Sequence, residues 1–160
     1  RRIRRSQVSL SLGSHSVSTT DLPAEPVSRT DPPQAIAGRT VLLVEDDDAV
    51  RQLIAELLQE GGFLVLEASG PEAADHAMAD HAHKIDVLLT DVAMPGINGP
   101  QLFAKLRHSD GNLKGVFMSG YSAEIDASRY PLPTGAVFIE KPFDKATLIS
   151  TLQQVCTNPR

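Results

Sequence analysis

From Thr40 onward, short apolar runs alternate with stretches of helical spacing, and this alternation limits the chain to very few folds. Val41 to Val44 is continuously apolar, as a strand buried on both faces must be. Ala49, Val50, Leu53, Ile54, Leu57 and Leu58 then recur at helical intervals, and Gly61-Gly62 stops that helix. Phe63 to Leu66 is a second strand. Ser69-Gly70-Pro71-Glu72 has the spacing of a capping box with a proline in the first turn, and opens a helix to about Ala79. Ile85 to Leu89 is a third strand, and Gly99-Pro100 opens a helix through Leu102, Phe103 and Leu106. Val116 to Met118 and Val137 to Ile139 are the fourth and fifth strands. Between them a fourth helix begins near Ala123 and is truncated by Pro131 and Pro133. Asp144 caps a last helix carrying Leu148, Ile149, Leu152 and Val155.

Strands separated by helices lie parallel, are joined by right-handed crossovers and carry helices on both faces. The expected fold is therefore α/β, a doubly wound five-stranded parallel sheet of flavodoxin-like (βα)5 type with strand order 2-1-3-4-5. Residues 39–157 form that domain. Residues 1–38 differ in kind. Arg1, Arg2, Arg4 and Arg5 precede a Ser/Thr-rich stretch and then Pro23, Pro26, Pro32 and Pro33. Such a segment buries little apolar surface and reads as a flexible linker or arm. An Arg- and Ser-rich start also has the composition of a transit peptide, and Val8 to Leu12 alternates like a short strand or the edge of a preceding domain. A chain that begins with Arg1 is expected to be a fragment or a processed product.

The net charge of -5 opposes nucleic-acid binding by bulk electrostatics. A single cysteine, Cys156, excludes an internal disulfide and reads as an ordinary helix residue. No apolar run approaches the roughly 20 residues of a membrane helix, so no membrane association is expected of this chain.

Open α/β sheets bind ligands at the carboxyl ends of their strands. Glu45, Asp46, Asp47 and Asp48 follow the first strand, Asp91 the third, Ser119 the fourth and Lys141 the fifth. In the order 2-1-3-4-5 these four strands are contiguous, so acids, hydroxyl and lysine converge on one rim. Clustered carboxylates repel one another unless a cation joins them. Oxygen donors with few protein ligands suit Mg²⁺, which keeps waters and often shares a phosphate. A carboxylate there can attack a phosphoryl group and form an aspartyl phosphate, and lysine and hydroxyl donors stabilise the charge that develops. Taken singly, the acids at 46–48 are helix N-caps, Lys141 a solvated charge and Ser119-Gly120 a turn. Asp91 resists such a reading, because it closes an apolar strand with no cap role.

The motifs at these positions resemble those of response-regulator receiver domains. Val41-Leu42-Leu43-Val44-Glu45-Asp46-Asp47 is similar to the first receiver motif. Leu88-Leu89-Thr90-Asp91-Val92-Ala93-Met94-Pro95-Gly96-Ile97-Asn98-Gly99 is similar to the phosphorylation loop, Phe117-Met118-Ser119-Gly120-Tyr121 to the switch-hydroxyl segment, and Phe138-Ile139-Glu140-Lys141-Pro142-Phe143 to the lysine-proline motif. The resemblance spans about Thr40 to Val155. The wording of the last two motifs, the linker ahead of them and the end of the chain soon after the last helix are most like a receiver at the C-terminal end of a hybrid sensor histidine kinase. A stand-alone receiver is the alternative.

The resemblance implies a phosphorelay module in which Asp91 takes a phosphoryl group from a phosphohistidine. It implies Mg²⁺ bound by Asp46, Asp91 and the backbone carbonyl of Ala93, with Glu45, in place of the more frequent aspartate, acting through a metal-bound water. It assigns Lys141 and Ser119 to phosphoryl stabilisation, and expects a cis bond between Lys141 and Pro142. It makes Ser119 and Phe138 the switch pair, and places Tyr121 where it can shield the phosphoryl group. The output face is the one formed by the fourth helix, fifth strand and last helix. Implied partners are a histidine kinase or a histidine phosphotransfer protein, with a homodimer also open. The implied location is cytoplasmic, even where a parent kinase is membrane-anchored.

The chain alone is accordingly expected to be a signalling module that takes part in its own phosphorylation, and not an enzyme. The rival is an aspartate-nucleophile phosphatase of the haloacid dehalogenase kind. That family places a second acid two residues after the nucleophile, where this chain has Ala93, and usually a cap domain, for which there is no sequence. A degenerate receiver that works without phosphorylation is disfavoured by Asp46, Asp91, Ser119 and Lys141 together. His76, His81 and His83 read as a solvated helix end more readily than as a metal site. No nucleotide-binding glycine motif is present.

Overall fold

The computed structural model describes residues 38–81, 84–120, 133 and 136–158. The segment read as an arm up to residue 37, the helix expected from about Ala123, Tyr121 and His83 lie outside the described residues. The elements run β1 (Thr40–Val44), α1 (Asp48–Glu60), β2 (Leu64–Ala68), α2 (Pro71–Asp80), β3 (Val87–Asp91), α3 (Gly99–Ser109), β4 (Lys114–Ser119), β5 (Val137–Glu140) and α4 (Lys145–Thr157). The sheet is parallel throughout, in the order β2-β1-β3-β4-β5.

Alternate residues of each strand enter two separate cores. Val41, Leu43, Val87, Leu89, Val116, Met118 and Ile139 face α1 and α4, where Ile54, Leu58, Leu148 and Leu152 close the layer. Leu42, Val44, Leu88 and Phe117 face α2 and α3, where Met78, Leu102, Phe103 and Leu106 close the other. The central strands β1 and β3 are thus covered on both sides, which is why their sequences are continuously apolar. Truncating Leu89, which is fully buried, to alanine costs about 2–5 kcal/mol on this account.

Four strands reach further toward the rim than their apolar runs suggest. β2 continues through Glu67 to Ala68, β3 through Thr90 to Asp91, β4 to Ser119 and β5 to Glu140. The ladder is made by backbone groups, so it passes through polar side chains: Asp91 pairs with Met118, and Ser119 with Glu140.

Helix ends show which local signals prevail. At the end of α1, Gly62 has φ of 89°, Gly62 N–H donates to the Gln59 carbonyl at 3.0 Å and Phe63 N–H to the Leu58 carbonyl at 3.1 Å. This is a Schellman motif, sealed by the buried Phe63. The capping box expected at Ser69–Glu72 does not form. Pro71 takes the first helical position, so the N-cap is Gly70, which has no side chain to accept from the first-turn N–H groups, and Ser69 falls one place too early. A capping box forms instead on α3, where the Asn98 side chain accepts from Gln101 N–H at 2.8 Å and the Gln101 side chain accepts from Asn98 N–H at 3.3 Å. No basic residue lies in the last turn of α4. Lys114, at the start of β4, supplies the charge instead, with its Nζ 2.7 Å from the Val155 carbonyl oxygen and 2.9 Å from that of Asn158.

Candidate phosphoacceptor site

The β1–α1 turn distributes its four acids among distinct tasks. Asp47 is the N-cap of α1: its Oδ1 accepts from Ala49 N–H at 2.9 Å and Val50 N–H at 3.0 Å. Asp48 pairs with Arg51 within the first turn. Glu45 is buried, with only 3% of its side chain exposed. Asp46 is exposed, and its carboxylate has no hydrogen bond or ion pair among the described residues. Of the three consecutive aspartates, it is therefore the one with no structural duty.

Asp91 ends β3, and its side chain is 14% exposed. Its Oδ1 accepts from the Ala93 N–H at 3.1 Å, which fixes the carboxylate against the loop that follows. Below it, Val92 N–H donates to the Met118 carbonyl at 2.8 Å and Gly99 N–H to the Val92 carbonyl at 3.0 Å, tying the loop to β4 and to the start of α3. Gly99 has to be small, because a Cβ there would stand 2.3 Å from the Asp91 carbonyl oxygen.

Lys141 comes to this pair from β5. Its N–H donates to the Ser119 carbonyl at 2.7 Å, and the Lys141–Pro142 peptide bond is cis, as the motif implies. Its Nζ donates to Asp91 Oδ2 at 2.8 Å and to Glu45 Oε2 at 2.9 Å. Burial is the largest single influence on this ammonium and pulls its pKa down. The hydrogen bonds to Asp91 and Glu45 and the charges of both acids together outweigh it, and the pKa is raised. Ser119 is buried, and Phe138 is half-buried on the same side of the sheet as Phe117.

The structure thus brings Glu45, Asp91 and Lys141 into direct contact, with Asp46 beside Glu45 and Ser119 at the neighbouring strand end. Among the described residues no three His, Cys, Asp or Glu side chains are grouped as a metal site. His76 is exposed on α2 and His81 is its C-cap. Two contributors went unnoticed in the sequence: the Asn98/Gln101 capping box that starts α3 beneath Asp91, and Arg51. Both carry readable signals, an Asn-x-x-Gln spacing and an Asp48/Arg51 pair one helical turn apart.

A parallel sheet of this order with an acid–lysine rim defines a receiver, and the chain belongs to the response regulator receiver domain family, whose profile matches residues 41–153. It is similar to the sensor kinase CckA of Brucella abortus, at 36% identity over 116 residues, which are 72% of this chain and 12% of that protein. It is also similar to the transcriptional regulatory protein FixJ of Azorhizobium caulinodans, at 32% identity over 116 residues, 71% of this chain and 53% of that one. Among solved structures, the receiver domain of the hybrid histidine kinase CckA is 40% identical with a TM-score of 0.63, covering 74% of this chain and 99% of that one. A response regulator receiver protein of Sinorhizobium medicae is 28% identical with a TM-score of 0.65, covering 74% and 94%. The chain spans an eighth to about half of the two curated relatives, and is the receiver domain of a two-component phosphorelay.

Proposed function

We propose that Asp91 is the phosphoacceptor of this receiver and takes its phosphoryl group from a phosphohistidine. The observation that carries this reading is Lys141 Nζ, which lies within hydrogen-bonding distance of both Glu45 and Asp91 at the strand ends. An oxygen of the Asp91 carboxylate attacks phosphorus, the new O–P bond forms as the P–N bond of the phosphohistidine breaks, and the imidazole leaves with the electron pair. Lys141, already beside Asp91 Oδ2, pairs with a phosphoryl oxygen, and the Ser119 hydroxyl donates to another.

The donor set suits Mg²⁺. Glu45, Asp46 and Asp91 share the rim with one ammonium, which leaves an excess of negative charge for a dication, and every donor is an oxygen. Asp46 and Asp91 would hold the ion with the Ala93 carbonyl, and Glu45 would reach it through a water. The bound ion supplies neutralising charge to the phosphoryl oxygens.

Phosphorylation replaces the single charge of the Asp91 carboxylate with a phosphoryl group carrying about -1.5 to -2 charges. Ser119 moves toward them, and Phe138, two residues back on the neighbouring strand, responds. The response is read on the face made by β5 and α4. The partner is a histidine kinase or a histidine phosphotransfer protein, and the chain on its own is a module and not an enzyme. Among the described residues no helix is long and apolar enough to cross a membrane, and the proposed setting is cytoplasmic. The similarity to a hybrid kinase receiver supports a place within such a kinase, and we propose its C-terminal end, with residues 1–38 ahead of the receiver as a linker. Sequencing the flanking polypeptide decides that placement.

The acceptor is tested by mass spectrometry after incubation with acetyl phosphate and Mg²⁺. One hydroxylamine-labile phosphoryl group is expected on the wild type and none on Asp91→Asn. Uptake by Asp91→Asn would show that Asp91 is the wrong residue.

A further inference from the structure

Arg51 stands in the first turn of α1, with 13% of its side chain exposed. Its guanidinium meets acceptors from three segments. Nη1 donates to the Glu45 carbonyl oxygen at 2.9 Å, Nη2 pairs with Asp48, and Nε lies 3.7 Å from Glu67 Oε2 at the end of β2. The first of these contacts bears on the acidic rim. Glu45 follows the last residue of β1, and its carbonyl belongs to the peptide unit that leads into Asp46. Its N–H is already held by the Ala68 carbonyl at 3.2 Å. Arg51 therefore grips the far side of the residue, and the planar peptide transmits that grip to the Asp46 Cα. Asp46 has no side-chain tether among the described residues, so its approach to Asp91 depends on this turn.

We propose that Arg51 is a positioning residue for the divalent-cation site: by holding the Glu45 carbonyl and bracing on Asp48 and Glu67, it orients the turn that presents Asp46 beside Asp91. This rests on the reading of Asp46 and Asp91 as cation ligands.

Charge and positioning predict opposite signs. A guanidinium near a cation site repels the cation, so on charge alone its removal tightens Mg²⁺ binding. If orientation governs, its removal weakens binding, and outer contacts that orient ligands are worth about 10–100-fold in affinity. Lysine separates the two effects, because it keeps the charge and loses the planar fork that spans three acceptors.

The experiment is a Mg²⁺ titration followed by amide chemical shifts, well below the melting temperature, on wild type, Asp46→Ala, Arg51→Gln and Arg51→Lys. Wild type should bind and Asp46→Ala should not, while both Arg51 variants weaken about tenfold. In phosphorylation by acetyl phosphate, the half-saturating Mg²⁺ should rise about tenfold with the plateau rate held within about twofold, the split that separates binding from chemistry. If Arg51→Gln does not fold, Arg51→Lys carries the comparison. Unchanged or tighter binding in Arg51→Gln, or wild-type binding in Arg51→Lys, overturns the role of Arg51 and leaves the cation site standing. Absence of binding by wild type removes the cation site and this role together.

Discussion

The ring of Phe138 lies against that of Phe117, with centroids 5.4 Å apart and planes tilted by 32°. Phe117 in turn meets Phe103 edge-on at 5.7 Å, and the Arg107 guanidinium carbon lies 5.8 Å from the Phe103 ring centre. A stack of side chains thus runs from β5 through β4 to the outer surface of α3. Phe138→Ala should lower stability by about 2 kcal/mol, less than a fully buried phenylalanine because the ring is half-exposed. Urea melts with an unchanged slope would show it. A loss below about 0.5 kcal/mol, the range of ordinary surface changes, would mean that the Phe117 contact does not anchor this ring.

Ser119→Ala should still permit phosphorylation of Asp91 and blunt its effect on β5. The hydroxyl lies at the end of β4, and the main chain of the same residue accepts from Lys141 N–H, so strand geometry survives the change. Amide shifts across residues 136–145, with and without beryllofluoride, report the response. Identical shift patterns in wild type and Ser119→Ala would sink the coupling scheme and leave Asp91 untouched.

Lys141 gives the site a pH signature. Its folded pKa lies above its unfolded value, so its contribution to stability is complete below about pH 10.4 and drains away as pH rises through the folded value. Lys141→Met, measured without Mg²⁺, leaves Glu45 and Asp91 without their counter-ion and should cost about 2 kcal/mol at pH 7, allowing for the lysine's partial exposure. The gap between wild type and variant should hold up to about pH 10.5 and narrow from there to the alkaline limit of folding. A gap that stays constant across that window would show that the ion pairs do not stabilise the fold.

Gly99→Ala should destabilise by about 1–3 kcal/mol through overpacking. The added methyl would meet the Asp91 carbonyl oxygen at 2.3 Å and Thr90 Cγ2 at 3.0 Å, and the backbone oxygen cannot turn aside as a side chain can. Gly111→Ala, where a Cβ meets nothing within 4 Å, is the control. Equal melting temperatures for the two variants would contradict the contact.

Mg²⁺ should raise the melting temperature, since a ligand bound only to the folded state adds about 1.4 kcal/mol at ten times its Kd. The shift should vanish in Asp46→Ala. A shift that persists in that variant would place the ion elsewhere.

The path from sequence to site was short wherever one residue type at one position sufficed. Asp91 closes an apolar strand and Asp144 precedes a helix, and both positions are legible from local chain geometry; Lys141, a solvated charge when taken singly, is legible only through the lysine-proline motif. The expectation at Ser69–Glu72 failed because two local signals competed there, and the fixed φ of Pro71 set the helix start before the serine could cap it. Strand ends were read short because apolar side chains mark burial, whereas backbone groups make the ladder.

Periodicity, turn glycines and the order of motifs determined by themselves the parallel five-stranded sheet and the residues along its rim, because side-chain period and crossover handedness leave one economical arrangement. Only the tertiary structure decided how the four acids after β1 divide their work. Glu45 turns inward to Lys141, Asp47 caps α1, Asp48 pairs with Arg51, and Asp46 is left exposed. Four adjacent carboxylates are alike in composition and local propensity. What separates them is the partner each one meets, and Lys141, 96 residues from Glu45, is brought to it by the folded sheet alone.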